Sequence, residues 1–431
     1  LTGQPLAETR QAEKLVILAT TDIHGNVWGF SYEDDKETTN TGMARIATYV
    51  QSVRDEEEYV ILVDNGDVIQ GNIMTDDLYN KREGEHPVMR AMNLLGYDAM
   101  TLGNHEFNFG EDLIKRIQIL ANFPVLAANM ARVDGTMATL PYTIVTRGGV
   151  KVGIIGLTNP NAPRWDGEKT DPFVFSAVGP AARRAIDIIA DKVDVIVVVS
   201  HVGIYPEYDE EGGSDGANKI LELCPEIDVL IVGHDHNTIK EIRGNTVIGG
   251  TRNLAREVIR IDLALDGNKR VVDRAIAIVD MADYEPSDLI RGNAFIVEAH
   301  EETRDYILGG PVGDDGVRSG GVFGVAATTF QPANEIRGIP EGKLRDTAVM
   351  DLINEVQLAN SGADVSGAAL FADTSDIKVG EINYGTIFGI YKYDNTLYRV
   401  PVTGAELKAY MEWSASCYNQ WVPGDISISF N

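Results

Sequence analysis

Short β-branched runs alternate with amphipathic helical stripes from residue 14 onward, and this alternation restricts the chain to an α/β architecture. Residues 14–19, 59–63, 99–102, 152–157, 193–199 and 227–232 read as buried strands. Between them, residues 42–54 place Met43, Ile46, Ala47, Val50 and Val53 on one stripe, and residues 180–192 do the same with Ala185, Ile188 and Ile189. From 246 to 279 the pattern changes to consecutive strands divided at Asp266-Gly267-Asn268, a hairpin signal. Mixed sheets are therefore expected rather than a purely parallel one.

A chain of 431 residues is too long for one core. Residues 286–308 carry Ile290, Phe295, Ile296 and Ala299 in helical register and read as one long helix. It runs into a glycine cluster, Gly309-Gly310-Pro311 followed by Gly313, Gly316, Gly320, Gly321 and Gly324, which marks a boundary. Beyond it, 347–358 has helical periodicity, 368–371 is a short apolar run and 398–402 reads as a strand. The expected division is an α/β domain over 1–284, a linker helix over 285–310 and an α+β domain over 311–431, the last short enough to be incomplete.

The acid-to-base balance, 65 against 37 for a formal charge of −28, argues against binding a nucleic-acid duplex, whose phosphates are held by Lys and Arg. It leaves phosphorylated small molecules open, because a bound cation reverses the local sign. Two cysteines, Cys224 and Cys417, lack any C-x-x-C partner and supply neither a disulfide framework nor a zinc-thiolate site. The longest apolar run, around 195–199, is far short of the roughly 20 residues of a membrane span. The start, Leu1-Thr2-Gly3-Gln4, has neither initiator Met nor a basic-then-apolar leader and reads as a processed mature chain or a trimmed one.

Five of the seven histidines stand just after predicted strands, in polar clusters rich in Asp, Asn and Gly. Asp22-x-His24 follows the first strand, Gly66-Asp67 the second and Gly103-Asn104-His105-Glu106 the third; His201 and Gly233-His234-Asp235-His236 follow two later ones. Strands sharing a direction would bring all five clusters to one edge, where α/β sheets place their ligands. Asp22, Asp67, Asn104, His24, His201, His234 and His236 suit a hard-to-borderline divalent cation such as Mn, Zn, Fe or Mg. Seven ligands are too many for one ion. With one carboxylate bridging they make two four-fold sets, the pattern of a two-metal phosphoryl-transfer site. Gly25, Gly66, Gly103 and Gly233 beside them allow close backbone approach. His86, before Pro87, reads as a helix start and His300 as part of the long helix.

The set Asp22-Ile23-His24-Gly25-Asn26, Asp64-Asn65-Gly66-Asp67-x-x-x-Gly71, Gly103-Asn104-His105-Glu106-Phe107, His201 and Gly233-His234-x-His236 resembles the calcineurin-like metallophosphoesterases, in the 5′-nucleotidase and 2′,3′-cyclic-nucleotide 2′-phosphodiesterase branch. The resemblance implies an α/β core of mixed β-sheets flanked by helices, followed by a linker helix and an α+β substrate domain. It implies that Asp22, His24, Asp67 and His236 hold one divalent metal, and that Asp67 as bridge, Asn104, His201 and His234 hold the second. His105 would be the catalytic imidazole outside the ligand set. Where 5′-nucleotidases of the branch have an Asp three residues past that His, this chain has Asn108, which resembles the cyclic-phosphodiesterase subgroup. Asn offers a hydrogen-bond acceptor but no charge.

In the C-terminal part, 338–342, Asp346-Thr347, 361–364 and 391–397 resemble the family's substrate domain, which normally continues past residue 431. Tyr393 matches the aromatic that stacks on the nucleobase, with Tyr391 as its neighbour. No G-G-I-R motif appears, and 366–371 stands in its place. The implied activity is a 2′,3′-cyclic-nucleotide 2′-phosphodiesterase with 3′-nucleotidase activity. The alternatives are a 5′-nucleotidase, or a metal-loaded, non-catalytic nucleotide-binding protein. Family habit implies export to the periplasm, cell surface or extracellular space, and no oligomeric state.

Overall fold

A computed structural model describes residues 13–208, 215–309, 321–331, 334–370, 375–391 and 396–421. Tyr393 and most of the glycine cluster lie outside them. The chain divides into two compact units, Leu1–Ser31 with Asp35–Thr303 and Tyr32–Asp34 with Arg304–Asn431.

The first unit is built on twelve strands in two six-stranded sheets. In chain order they are β1 (Lys14–Thr20), β2 (Val60–Asp64), β3 (Ala99–Thr101), β4 (Val125–Leu126), β5 (Tyr142–Arg147), β6 (Val150–Leu157), β7 (Val195–Ser200), β8 (Val229–Val232), β9 (Ile239–Arg243), β10 (Thr246–Gly250), β11 (Glu257–Leu265) and β12 (Val271–Asp280). One sheet has the order β12-β11-β1-β2-β3-β4 and the other β9-β10-β8-β7-β6-β5. Both are mixed. β1 runs parallel to β2 and antiparallel to β11, while β7 is parallel to both β6 and β8.

Side-chain alternation decides what each face buries. Leu15, Ile17 and Ala19 from the first sheet and Val195, Val197 and Val199 from the second share one core, so the sheets pack face to face. The intervening Ile196 and Val198 point the other way, against Val178, Ala182 and Ile186 of the helix Val178–Ile189 and Ile220 of Ala217–Leu223. Fully burying each such aliphatic side chain contributes about 1.5–3 kcal/mol. The hairpin between β11 and β12 turns on Asp266, whose Oδ1 accepts from the backbone N–H of Asn268 and Arg270.

Two expectations are corrected. Residues 286–308 are not one helix but two, Asp288–Arg291 and Ala294–Gly309. Asn293 Oδ1 accepts from Ile296 N–H at 3.3 Å, an N-cap that restarts the helix after Gly292. Residues 398–402 form no strand, and Tyr398, Val400 and Val402 are exposed. A β-branched run becomes a strand only with a partner and a surface to pack on, and among the described residues it has neither. The second unit packs Ala326, Val349, Ile377 and Ile390 into a small core. Its helices include Ala348–Ser361 and Tyr384–Ile390, the latter started by an Asn383–Thr386 capping box.

His86 occupies the position just before the helix Pro87–Leu95, buried and making no side-chain bond to the helix end, its Nε2 donating instead to Asn80 Oδ1 at 2.9 Å. Burial, reinforced by Arg116, lowers its pKa to about 3. The unfolded chain therefore binds a proton at this site that the folded chain refuses between about pH 6.5 and 3, so the stability present above 6.5 falls as pH drops through that window. From pH 7 to 5 the loss is at most about 2 kcal/mol. Urea midpoints of wild type and His86→Gln at both pH values should converge at pH 5; an unchanged gap would refute this.

Candidate metal centre

The polar clusters extend the C-terminal ends of β1, β2, β3, β7 and β8, three strands from one sheet and two from the other. The rim they form therefore belongs to two facing sheets rather than to one sheet edge. Asp22 N–H donates to Gly66 O at 3.0 Å, His24 N–H to Asp67 O at 2.9 Å and Gly25 N–H to Val68 O at 2.8 Å, so the first two loops remain paired beyond their strands. Asp22, His24, Asp67, His234 and His236 all have left-handed backbone, with φ of 56°, 50°, 56°, 70° and 53°. Each such residue costs about 1–3 kcal/mol, a strain that persists only where surroundings over-determine it and that gathers at functional sites.

Glycine makes room for the carboxylates. A Cβ at Gly103 would lie 2.1 Å from Asp67 Oδ1, and one at Gly233 would lie 2.9 Å from Asp22 Oδ2 and 2.2 Å from Thr21 Oγ1.

Two groups of candidate ligands result: Asp22, His24 and His236, and Asp67, His201 and His234. In the first, His236 Nε2 is 3.2 Å and His24 Nε2 4.0 Å from Asp22 Oδ1, and the two Nε2 atoms are 3.1 Å apart. In the second, His201 Nε2 is 3.0 Å from Asp67 Oδ2 and 3.8 Å from Asp22 Oδ1, which ties the groups together. Asn104 Oδ1 joins the second group, 2.8 Å from His234 Nδ1.

The donor set fits divalent cations. His24 Nδ1 donates to Gln70 O at 2.8 Å and His201 Nδ1 donates to Asn65 O, which leaves both Nε2 atoms facing the carboxylates. Asp22 Oδ1 and His201 Nε2 are buried with no hydrogen bond in line. Burial would raise the Asp67 carboxyl, but His201, His105 and His24 hold it well below the usual carboxylate range. Burial would lower His201, but Asp67 and Asp22 outweigh it and push it up to about 10. Two buried carboxylates at this spacing demand positive charge.

His105 stands beside the second group rather than in it, its Nε2 3.9 Å from Asp67 Oδ2. Its backbone N–H donates to Asp67 Oδ1 at 2.8 Å, and its Nδ1 donates to Asn108 Oδ1 at 2.7 Å.

Three carboxylates around the centre have no role in the reading of the sequence. Glu106 is fully buried and accepts the backbone N–H groups of Asp67 at 2.9 Å, Val68 at 2.8 Å and Gly103 at 2.6 Å, clamping two of the ligand loops together. Glu207 Oε2 accepts from His234 Nε2 at 2.9 Å, which turns Nδ1 toward Asn104. Asp166 Oδ1 accepts from Asn108 Nδ2 at 2.8 Å. Only Glu106 had a local signal, its place directly after the Asn104-His105 pair.

Tyr391 lies in the second unit, half-buried at the edge of a cavity of about 530 Å³ with Leu352, Val356, Ile387 and Leu397. His86 and His300 of the first unit are in neither ligand group, and His300 is stacked on Trp28 with ring centroids 4.1 Å apart. Cys224 is buried without a disulfide. No helix among the described residues is long and apolar enough to cross a membrane.

The chain is similar to known proteins over most of its length. Residues 15–238 match the calcineurin-like phosphoesterase family, and residues 324–428 match the 5′-nucleotidase C-terminal domain. The trifunctional nucleotide phosphoesterase protein YfkN of Bacillus subtilis is 31% identical over 95% of this chain, a match that spans 30% of that protein's length. The 2′,3′-cyclic-nucleotide 2′-phosphodiesterase/3′-nucleotidase of Salmonella typhimurium is 28% identical over 94% of this chain and 69% of its own. The structure of a 5′-nucleotidase precursor from Thermus thermophilus, at 21% identity, shares the fold with a TM-score of 0.64 over 89% of this chain and 74% of its own. Calcineurin-like phosphoesterases are hydrolases that work with divalent metals, and the rim of carboxylates and imidazoles holds two groups of candidate ligands. On the match over more than half its length, the chain belongs to the calcineurin-like phosphoesterase family.

Proposed function

We propose that this chain is a dinuclear-metal phosphohydrolase that opens 2′,3′-cyclic nucleotides to 3′-nucleotides and then removes the 3′-phosphate. Asp22, His24, Asp67 and His236 would hold one divalent ion, and Asp67, Asn104, His201 and His234 the other. The observation that carries the reading is the placement of His105, whose Nε2 lies 3.9 Å from the shared carboxylate Asp67 while its Nδ1 is tied to Asn108. When bound, divalent ions supply Lewis-acid activation of water and neutralise charge on the phosphoryl oxygens.

The chain's own groups would do the rest. As the P–O bond breaks, its electron pair goes to the leaving ribose oxygen, which takes the Nε2 proton of the His105 imidazolium and leaves the neutral ring with its proton on Nδ1. The imidazole stays fixed through Nδ1–H and recovers a proton from the attacking water.

The choice of cyclic substrate is supported by the names of the relatives that span most of the chain. The 5′-nucleotidase reading stands second, because residues 324–428 match that family's C-terminal domain. The reading includes a catalytic domain over 1–284, a linker over 285–310, a substrate domain over 311–431 with Tyr391 and Tyr393 toward the base, and export beyond the cytoplasm. Rates on 2′,3′-cyclic AMP, 3′-AMP and 5′-AMP under one set of metal conditions test the substrate. The first two should be hydrolysed faster than 5′-AMP; the reverse order would make the second reading correct.

A further inference from the structure

We propose that Asp166 is the charged end of a relay, Asp166–Asn108–His105, that positions the imidazole for proton transfer to the leaving oxygen. The proposal rests on the reading of His105 as the catalytic imidazole.

Asp166 closes the short helix Ala162–Asp166, 58 residues along the chain from Asn108. A carboxylate can only accept, so the 2.8 Å contact between Asp166 Oδ1 and Asn108 Nδ2 fixes which end of the amide faces it. The carbonyl end is then turned to His105 Nδ1 at 2.7 Å and can only accept a proton from it. That leaves Nε2 as the nitrogen on the side of Asp67. Without Asp166 the Asn108 amide could rotate by half a turn and present N–H donors to the ring, which would leave the Nδ1 proton without its acceptor and the ring without its anchor. Asp166 also brings the negative charge that Asn108 lacks. Its other oxygen, Oδ2, is buried and has no hydrogen-bond partner, so the side chain is not held there by a bond on its far side. Burial, with a smaller push from Asp67, raises the Asp166 carboxyl above its ordinary value, and the Asn108 amide, Lys169 and His105 offset only part of that rise. The same helix carries Trp165, whose ring centroid is 5.4 Å from that of His234, so it borders the centre on two sides.

Asp166 is thus a positioning residue, and its test must separate positioning from mere support. The Mn-loaded full-length chain would be compared as wild type, His105→Ala, Asp166→Asn, Asp166→Ala and the exchange variant Asn108→Asp with Asp166→Asn. Two substrates are used: 2′,3′-cyclic AMP, whose alkoxide leaving group needs a proton, and bis-p-nitrophenyl phosphate, whose phenolate scarcely does. Asp166→Asn, which removes the charge and the acceptor-only end that orients the Asn108 amide, should lower kcat on the cyclic nucleotide by about 10–100-fold, the scale of altering an outer-shell partner. On the p-nitrophenyl ester the loss should be much smaller, with KM, metal content and melting temperature near wild type on both.

The exchange variant puts the carboxylate directly on His105 Nδ1 and an amide behind it, and should recover most of the rate on the cyclic nucleotide. An exchange variant as slow as Asp166→Asn, equal losses on the two substrates, or a loss confined to KM would overturn the relay. If wild type cleaves neither substrate, or His105→Ala is as fast as wild type, the underlying reading fails. If His105→Ala is slow and Asp166→Asn fast, the relay alone fails.

Discussion

Asp67→Ala leaves phosphoester turnover below about a thousandth of wild type, since removing several kcal/mol of transition-state charge stabilisation costs a factor of ten per ~1.4 kcal/mol. The expectation follows from what meets at this one side chain. Its Oδ2 faces His201 Nε2 at 3.0 Å and His105 Nε2 at 3.9 Å, and its Oδ1 accepts the His105 backbone N–H at 2.8 Å. As the proposed bridge it serves both ligand groups, so alanine removes a ligand from each and leaves His201 facing Asp22 alone at 3.8 Å. Metal analysis after dialysis should find fewer than two equivalents, and circular dichroism should find the fold retained, because the Asp67 backbone bonds to Glu106 and His24 do not depend on its side chain. Two bound equivalents with full activity would remove Asp67 from the bridging role.

Much of this centre could be read from the residues because the information is local. A β-branched run reports a buried strand through its own periodicity, and a polar His-Asp-Gly cluster directly after it reports a loop at the strand's end. Neither reports which sheet the strand joins. Val195, Val197 and Val199 face the same core as Leu15 and Ile17 from a different sheet, a partnership that a period of two cannot express. The same limit explains the residues that were missed. Glu207 and Asp166 act through bonds to His234 and Asn108, 27 and 58 positions away, and an isolated acidic residue looks like solvated surface. Asn108 shows the consequence most directly. Alone in the sequence it reads as a weakened partner for His105; in the folded chain Asp166 stands behind it. The helix over 286–308 failed for the opposite reason, since a local competitor, the Asn293 cap, outweighed a continuous apolar register.

His105→Ala should behave differently from Asp67→Ala although the two residues touch. The contact that orients Asp67 comes from the His105 main chain, whose N–H reaches Asp67 Oδ1 at 2.8 Å and survives any side-chain change. Asn104 and Glu106 on either side keep their own partners, His234 and the N–H groups of Asp67, Val68 and Gly103. Alanine therefore removes the imidazole without removing a candidate ligand, and the side chain is exposed enough, at 21%, for water to fill its place. Metal content should stay at the wild-type value while kcat falls by about 10²–10⁴-fold, the range expected for a lost general acid. The fall should be steepest for alkoxide leaving groups and shallow for p-nitrophenolate, because only the former must be protonated as they depart. A variant that lost an equivalent of metal would make His105 a ligand. One that kept both metals and its full rate on every ester would take the imidazole out of the chemistry, and with it the relay through Asn108 and Asp166.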